Sequence, residues 1–505
     1  MVAHAMEHPR CAIWAGMGMG KTSATLYVIA SLLQLGLIRW TLILGPLRVA
    51  RGVWTREAGQ WSVFSHLRIA FVEDWTPQEQ AFLRARTAYG RALAKDPDSE
   101  ATRNLRKQMQ ALQPAAAAAR LQVIRHLDIL TINYDVLEQL VAILGDEWPF
   151  DLVVADEATR VKSFRIQKGG KRAGALGKVA FKRTKRWINL TGTPAPNGLQ
   201  DLWGQTWFLD RGHRLGNTFS GFMDRWFGFR RIKDAVNPDS AYVERIVFPH
   251  SQAEIQGLLK DVCLTLDPKD WFDLQEPVVN TLYIDLPVGA RKKYREMEKE
   301  FFTRLMREGI EHDIEAFGAA AKAMKCLQLC NGAAYVGDDN KTWADVHDEK
   351  LQALESVVEE AAGEPVLTAY HFKSDRARIM KRFPHAIDVA TPKGLAQAQA
   401  GEGSLWIGHP ASMGHGIDGL QQHCHTLAFF GLWFNLEEHM QFIERVGPVR
   451  QAQAGLERTV NIHYIAARDT VDEIVLERLT SKRSTQSVLM DAMNRYKERN
   501  HGTQG

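Results

Sequence analysis

The chain has 505 residues, 45% of them hydrophobic and 24% charged, the balance of a folded globular protein with room for two or three cores. Its formal net charge is only +4, so a polyanionic partner must be met by a local patch rather than by the molecule as a whole. The opening MVAHAMEHPR has no apolar run of the signal-peptide kind, and the most apolar long stretch, residues 26–44, is broken by Ser31, Gln34 and Arg39, which argues against a membrane span.

In chain order, short apolar runs at 11–15, 41–44, 69–72, 129–132, 152–155 and 187–190 predict buried strands. Helical periodicity between them, such as 22–35 closed by Gly36, predicts the helices of a parallel α/β sheet. Residues 76–126 break this rhythm; rich in Ala, Arg, Gln and Glu, they predict a helical insertion. From about Arg211 to Pro287 the pattern blurs, and an interdomain region is expected there. The α/β rhythm then resumes, with strands expected at 366–370, 387–389, 405–408, 427–430 and 460–465. Helices are expected at 374–383 and 436–445, and a long amphipathic one over 471–497. The cysteines, Cys11, Cys263, Cys326, Cys330 and Cys424, are sparse and odd in number, the usage of reduced thiols in a cytoplasm. Cys326 and Cys330 read as core thiols, and His423-Cys424-His425 lacks the spacing of a zinc site.

The stretch WAGMGMGKTSAT, residues 14–25, sets a Gly-rich loop ending Gly-Lys-Thr after an apolar strand and at the start of a helix. A phosphate-binding loop needs that context, because small residues let the backbone approach and the N–H groups of the helix start face the phosphates. The expected nucleotide-binding set is Gly16, Gly18, Met19, Gly20, Lys21, Thr22 and Ser23, with Lys21 neutralising phosphate charge and the Thr22 hydroxyl on Mg²⁺. FDLVVADEATRVKS supplies an acidic pair at the end of an apolar strand. Asp156 is expected to hold Mg²⁺ and Glu157 to orient or deprotonate the attacking water, which makes ATP and Mg²⁺ the expected cofactors.

A third stretch, NLTGTPAPNGLQDLW at 189–203, completes an order of motifs that resembles the Swi/Snf-type ATPases of helicase superfamily 2, the DEAD/DEAH-like group. GMGMGKT (16–22) and RVGPVRQAQ (445–453) together are similar to the variants of the family found in bacteriophages and prophages. That family reads DE-x-H-x-x-KN and LTGTP-x-x-N at these places. Asp156, Glu157, Lys162, Thr191, Gly192, Thr193, Pro194 and Asn197 match, while Ala15 replaces the first glycine of the loop, Thr159 the histidine and Ser163 the asparagine. ILGPLRVARGVWTREAGQW (43–61), TINYDVL (131–137), VLTAYHFKSDRARI (366–379) and ASMGHGIDGLQ (411–421) resemble further segments of the family. QFIERVGPVRQAQ (441–453) resembles its arginine-finger motif, Q-x-x-x-R-x-x-R-x-G-Q. Arg445 is in register there; Pro448 holds the place of the second arginine, and a two-residue insertion brings in Arg450 and Gln453. Arg450 is expected to be the finger, with Arg445 supporting it.

The resemblance implies two RecA-like parallel-sheet domains with helical insertions: residues 1–215, an interdomain region at 216–285, and 286–505 with a C-terminal helix. It implies ATP between the domains, and hydrolysis coupled through Thr191, Gly192 and Thr193 to movement along DNA, duplex and with little sequence specificity. Pro46, Arg48, Thr131, Asn133, Gly414 and Gly416 fall in segments that touch DNA in the family. Lys168, Lys171 and Arg172 join them from a basic run between Arg160 and Arg186 that contains no acidic residue. FMDRWFGFRRIK (222–233) interleaves aromatics with basic residues, for stacking on bases or for packing between domains. In phage-type members a Pro-Tyr-Gln segment ahead of the loop reads the adenine. MVAHAMEHPR holds none, leaving either a start upstream or an adenine held by stacking and packing alone. A strand-separating helicase and an ATP-gated DNA-binding scaffold with feeble turnover are the alternatives. The expected compartment is the cytoplasm, that of a bacterial host if the chain is phage-encoded.

Overall fold

In the computed structural model the described residues are 1–16, 18–165, 170–195, 198–233, 241–270, 274–308, 323–336, 342–413 and 417–481. They form two compact units: Met1–Trp226 with Phe248–Asp270, and Phe227–Val247 with Trp271–Gly505.

The first unit is built on β1 (Arg10–Ala15), β2 (Thr41–Gly45), β3 (Ile69–Phe71), β4 (Ile129–Asn133), β5 (Leu152–Asp156), β6 (Arg186–Thr191) and β9 (Cys263–Leu266), in the order β3-β4-β2-β5-β6-β1-β9. Every neighbouring pair is parallel. The central strands are buried on both faces, which is why they read as continuous apolar runs rather than alternating ones. Helices α1 (Val2–Glu7), α2 (Lys21–Gln34), α3 (Trp54–Gln60), α6 (Leu137–Leu144), α7 (Lys171–Val179), α8 (Gln200–Asp210), α9 (Phe219–Trp226) and α10 (Ser251–Leu259) complete it, with a π-helical turn at Val49–Val53.

Between β3 and β4, α4 (Pro77–Lys95) and α5 (Glu100–Ile124) form a helical hairpin where the composition predicts an insertion. Thr76 and Glu79 make a reciprocal cap at the start of α4. The Glu79 carboxylate also takes two bonds from Arg120 of α5, at 2.6 and 2.8 Å, with both side chains buried. One capping residue therefore ties the hairpin together.

The stretch expected to be interdomain is shared between the units. α9, α10 and β9 belong to the first, and β9 lies beside β1 with Ala15 opposite Leu266. The antiparallel hairpin β7 (Phe227–Lys233) and β8 (Ala241–Val247) and strand β10 (Val278–Ile284) belong to the second. β9 and β10 are edge strands, half-exposed, so neither carries the continuous apolar run by which the inner strands are recognised. Phe222 and Trp226 are buried in the first unit, which assigns those two aromatics to packing; Phe229 is exposed.

In the second unit β10 continues into β17 (Asn461–Ala467), β16 (Thr426–Phe429), β13 (Val366–Ala369), β15 (Leu405–Gly408) and β14 (Ile387–Asp388), an all-parallel sheet in that order. A second antiparallel pair, β11 (Ala333–Val336) and β12 (Thr342–Asp345), lies apart from it. The Lys350 ammonium is wholly buried, 2.7 Å from Asp472, and donates to Asn331 and to the carbonyl of Phe430. The closing helix is described over Val471–Ser481, and the remainder of its predicted span lies outside the described residues. Among the described residues no helix is long and apolar enough to cross a membrane.

Candidate active site

The Gly-rich loop turns off the C-terminal end of β1, where α/β sheets leave their crevices. Gly18 and Gly20 adopt φ of 78° and 73°, left-handed values that a side chain would strain, and Gly20 caps α2 with no side-chain bond to the helix N–H groups. Gly16 is required for another reason: a Cβ there would stand 2.7 Å from the Pro268 ring, which follows β9. Met19 packs into the core of the unit, and its N–H reaches the Gly16 carbonyl at 3.4 Å. Thr22 and Ser23 open α2, half-buried, and the Ser23 hydroxyl donates to the Gly20 carbonyl. The Lys21 ammonium folds back onto its own loop, donating to the carbonyls of Ala15 at 2.7 Å and Gly16 at 2.9 Å.

Asp156 ends β5 and Glu157 follows it in a left-handed conformation, φ 57°, at the start of a 3₁₀ turn over Ala158–Val161. That reversal breaks the alternation of a strand, so adjacent carboxylates need not face opposite ways. Desolvation among its neighbours pushes the Asp156 carboxyl up to about 6, against the opposing pull of the nearby Lys21 ammonium. An enclosed carboxylate of this kind, with the Thr22 hydroxyl at the start of α2, is a hard oxygen donor set of the type Mg²⁺ takes, and the residues fit that ion. The backbone under Asp156 is fixed by Tyr134, whose buried phenol donates to the Asp156 carbonyl at 2.9 Å. Burial holds that phenol in its neutral form.

Thr191 ends β6, buried, and its hydroxyl accepts the N–H of Thr193 at 3.1 Å, while Gly192 lies half-buried between them. α8 joins this segment to the one after the acids. Gln205 donates to the Pro194 carbonyl, Asp201 accepts from Lys162 at 3.2 Å, and Gly204 lies so close that a Cβ would fall 2.1 Å from the Lys162 carbonyl oxygen. Tyr134, Asp201, Gly204 and Gln205 were not foreseen. Their signal was a tyrosine just past β4 and a small residue inside a helix, both commonplace until the fold sets them against the acids.

Arg445 and Arg450 belong to the second unit. Arg445 is buried and donates to the carbonyls of Gln441 and Ile417, at 3.1 and 2.7 Å. Arg450 follows Pro448 in the helix Pro448–Gln453 and pairs with Asp418 at 3.3 Å.

The expected DNA contacts divide. Arg48 and Lys171 are exposed, Pro46 and Asn133 half-buried, and Arg172 is ion-paired with Asp135. Asn133 caps the turn that follows it, accepting the Asp135 N–H. Thr131 is a correction: it is fully buried in the middle of β4, and its hydroxyl donates to the Ala50 carbonyl of the π turn at 2.6 Å. Its strand runs between β3 and β2, so the residue braces the turn and offers nothing to a ligand. Lys168, Gly414 and Gly416 lie outside the described residues.

Comparison with known proteins bears on the same segments. The SNF2-related domain matches residues 1–327. The p41 protein of Acyrthosiphon pisum secondary endosymbiont phage 1 is 45% identical over 499 residues, covering 98% of this chain and 97% of that protein. The Bos taurus DNA excision repair protein ERCC-6-like is 29% identical over 231 residues, which is 45% of this chain and 15% of that protein. The Sulfolobus solfataricus SWI2/SNF2 ATPase core in complex with dsDNA aligns over 96% of this chain and 89% of that one at 18% identity, with a TM-score of 0.37. With the matched domain carrying the loop and the acids, and a phage relative aligned over almost its whole length, the chain belongs to the SNF2-related family of helicase-like, DNA-dependent ATPases.

Proposed function

We propose that this chain is an ATP-driven translocase that moves along duplex DNA without separating its strands. The observation that carries the reading is the meeting, in one unit of a SNF2-related chain, of a left-handed glycine loop, Lys21 and the strand-end pair Asp156-Glu157. The N–H groups from Gly18 to Ser23 bind the β- and γ-phosphates, and Lys21 exchanges the carbonyls of Ala15 and Gly16 for phosphate oxygens, whose charge makes them stronger acceptors. Thr22 and Asp156 would hold Mg²⁺, which neutralises charge on the phosphates when bound. Glu157, fixed in its turn, orients the attacking water and takes its proton. Arg450 stabilises the charge that develops on the transferred phosphoryl group. The Thr191–Thr193 hook, braced by Gln205 of α8, passes the change on to the segment joined to α8 through Lys162 and Asp201. Duplex DNA as the track is supported by ERCC-6-like relatives named for DNA excision repair and by the density of cations after the acids. A backbone track needs no base code, so sequence preference is slight.

Steady-state ATP hydrolysis with no nucleic acid, single-stranded DNA, duplex DNA or RNA, beside Lys21→Ala, tests this. Duplex DNA is expected to stimulate most, with activity lost in the variant. A translocase also displaces the third strand of a triplex while leaving the duplex closed. Stimulation chiefly by single strands, with strand displacement, would replace this reading by the helicase; binding without turnover would replace it by the scaffold.

A further inference from the structure

A groove of about 600 Å³ runs along the outer layer of the first unit between α6 and α7, with Arg86 of α4 in its wall, and contains none of the loop residues or strand-end acids. Small residues contribute to its lining, among them Ala142, Gly145, Gly170, Gly174 and Ala175. Lys171, Gly174, Ala175 and Lys178 recur at the three- and four-residue steps that share one helix face, and Lys182 and Arg183 continue the line past the end of α7. A Cβ added at Gly174 would meet nothing within 4 Å.

Six cations among the described residues line this groove; Arg86 is paired with Glu138 and Arg165 donates to the carbonyls of Lys162 and Phe164, while the other four differ from their neighbours in sequence. Lys162 pairs with Asp201, Arg172 with Asp135 and Lys185 with Asp151, while Arg186 donates to the carbonyls of Ala5 and Met6. The side chains of Lys171, Lys178, Lys182 and Arg183 make no ion pair or hydrogen bond among the described residues. Of the two acids in the lining, Glu138 is already held by Arg86 at 2.6 Å, which leaves Asp146 against those four cations.

We propose that this groove seats the phosphate backbone of a DNA strand, a second contact line separate from the segments that resemble the family's DNA-touching loops; the proposal rests on DNA being the partner. The cations are strung out rather than convergent. Lys171 and Lys178 stand about 10 Å apart along the helix at 1.5 Å per residue, a length that spans several phosphates at about 3.4 Å each along a duplex axis. A free phosphate or single nucleotide calls for donors aimed at one point, which this groove lacks. Among the described residues no aromatic side chain lines it, so they offer no platform for stacked bases and the contact is blind to sequence.

The test uses the full chain and a short mixed-sequence duplex, with Kd measured over a salt series. The double variant Lys178→Glu/Lys182→Glu is expected to raise Kd about tenfold or more at 0.1 M salt and to lower the slope of log Kd on log salt by about two. Gly174→Leu, which fills the groove at constant charge, is expected to raise Kd as well. Lys292→Glu/Lys293→Glu, a reversal of two exposed lysines on the helix Val288–Glu308, controls for diffuse charge. An unchanged Kd and slope, a loss matched by that control, or a silent Gly174→Leu each overturns the seat. Duplex-stimulated hydrolysis by the unaltered chain is followed in parallel. Its absence alongside an intact groove effect would sink the translocase reading and leave the groove standing, whereas a chain that does not bind duplex DNA would sink both.

Discussion

At the end of β5 two adjacent carboxylates are prepared differently. Glu157 is held by backbone, in a left-handed conformation that costs a non-glycine residue roughly 1 kcal/mol or more. Asp156 is held by desolvation, which lifts its carboxyl from 3.8 to about 6. A carboxyl raised on folding lends stability that is fully present below about pH 4 and lost as pH rises through 6. At about 1.36 kcal/mol per unit, the loss amounts to at most about 3 kcal/mol. Asp375 in the second unit, also pushed up to about 6 by burial, titrates in the same window, so the comparison must be with a variant at one position. Asp156→Asn is expected to melt at a higher temperature than the unaltered protein at pH 7.5 without nucleotide, with the gap closing toward pH 4. A variant that melts lower at pH 7.5 would show that the desolvation cost is absent. The acidic pair itself was legible in the sequence; the turn that makes its two members unequal was not, because nothing in Asp-Glu specifies a positive φ.

Among the elements, the α4–α5 hairpin was legible from composition alone, since helix-forming residues without β-branching predict helices wherever they fall. What holds it was half legible. Thr76 and Glu79 have the spacing of a capping box, but only the hairpin brings Arg120 onto the same carboxylate. Removing one partner of a buried pair strands the other, so Glu79→Ala is expected to cost about 3–5 kcal/mol by chemical denaturation. Replacing Glu79 and Arg120 together by apolar residues of similar volume should cost much less. Equal losses in the two variants would mean that the helices are held by other contacts. Thr131 shows the converse failure: its motif position pointed to a ligand, and burial in a central strand turned it inward as a brace for the π turn at Ala50.

For the molecule as a whole, the two arginines of the last motif have separate surroundings. Arg445 is enclosed and donates to backbone carbonyls, the setting of a structural residue; Arg450 is half-buried, its side chain 15% exposed, against one aspartate. Arg450→Ala is therefore expected to keep its melting temperature and lose about 10³–10⁵ in ATP turnover. Arg445→Ala should melt lower, by the roughly 1–3 kcal/mol that each stranded acceptor costs, and keep more of its turnover. The reverse pattern would exchange their roles. By itself the sequence determined the parallel α/β character, the inner strands, the helical insertion, the Gly-rich loop between β1 and α2 and the acidic pair ending β5, because each is written in a local pattern of apolar period, glycine and charge. Only the tertiary structure decided which unit owns β9 and β10, that Lys350 and Asp472 form a buried pair, and that Gly204 must be a glycine beneath Lys162. Those facts depend on residues far apart in the chain coming within bonding distance, and burial, not local propensity, sets what they do there.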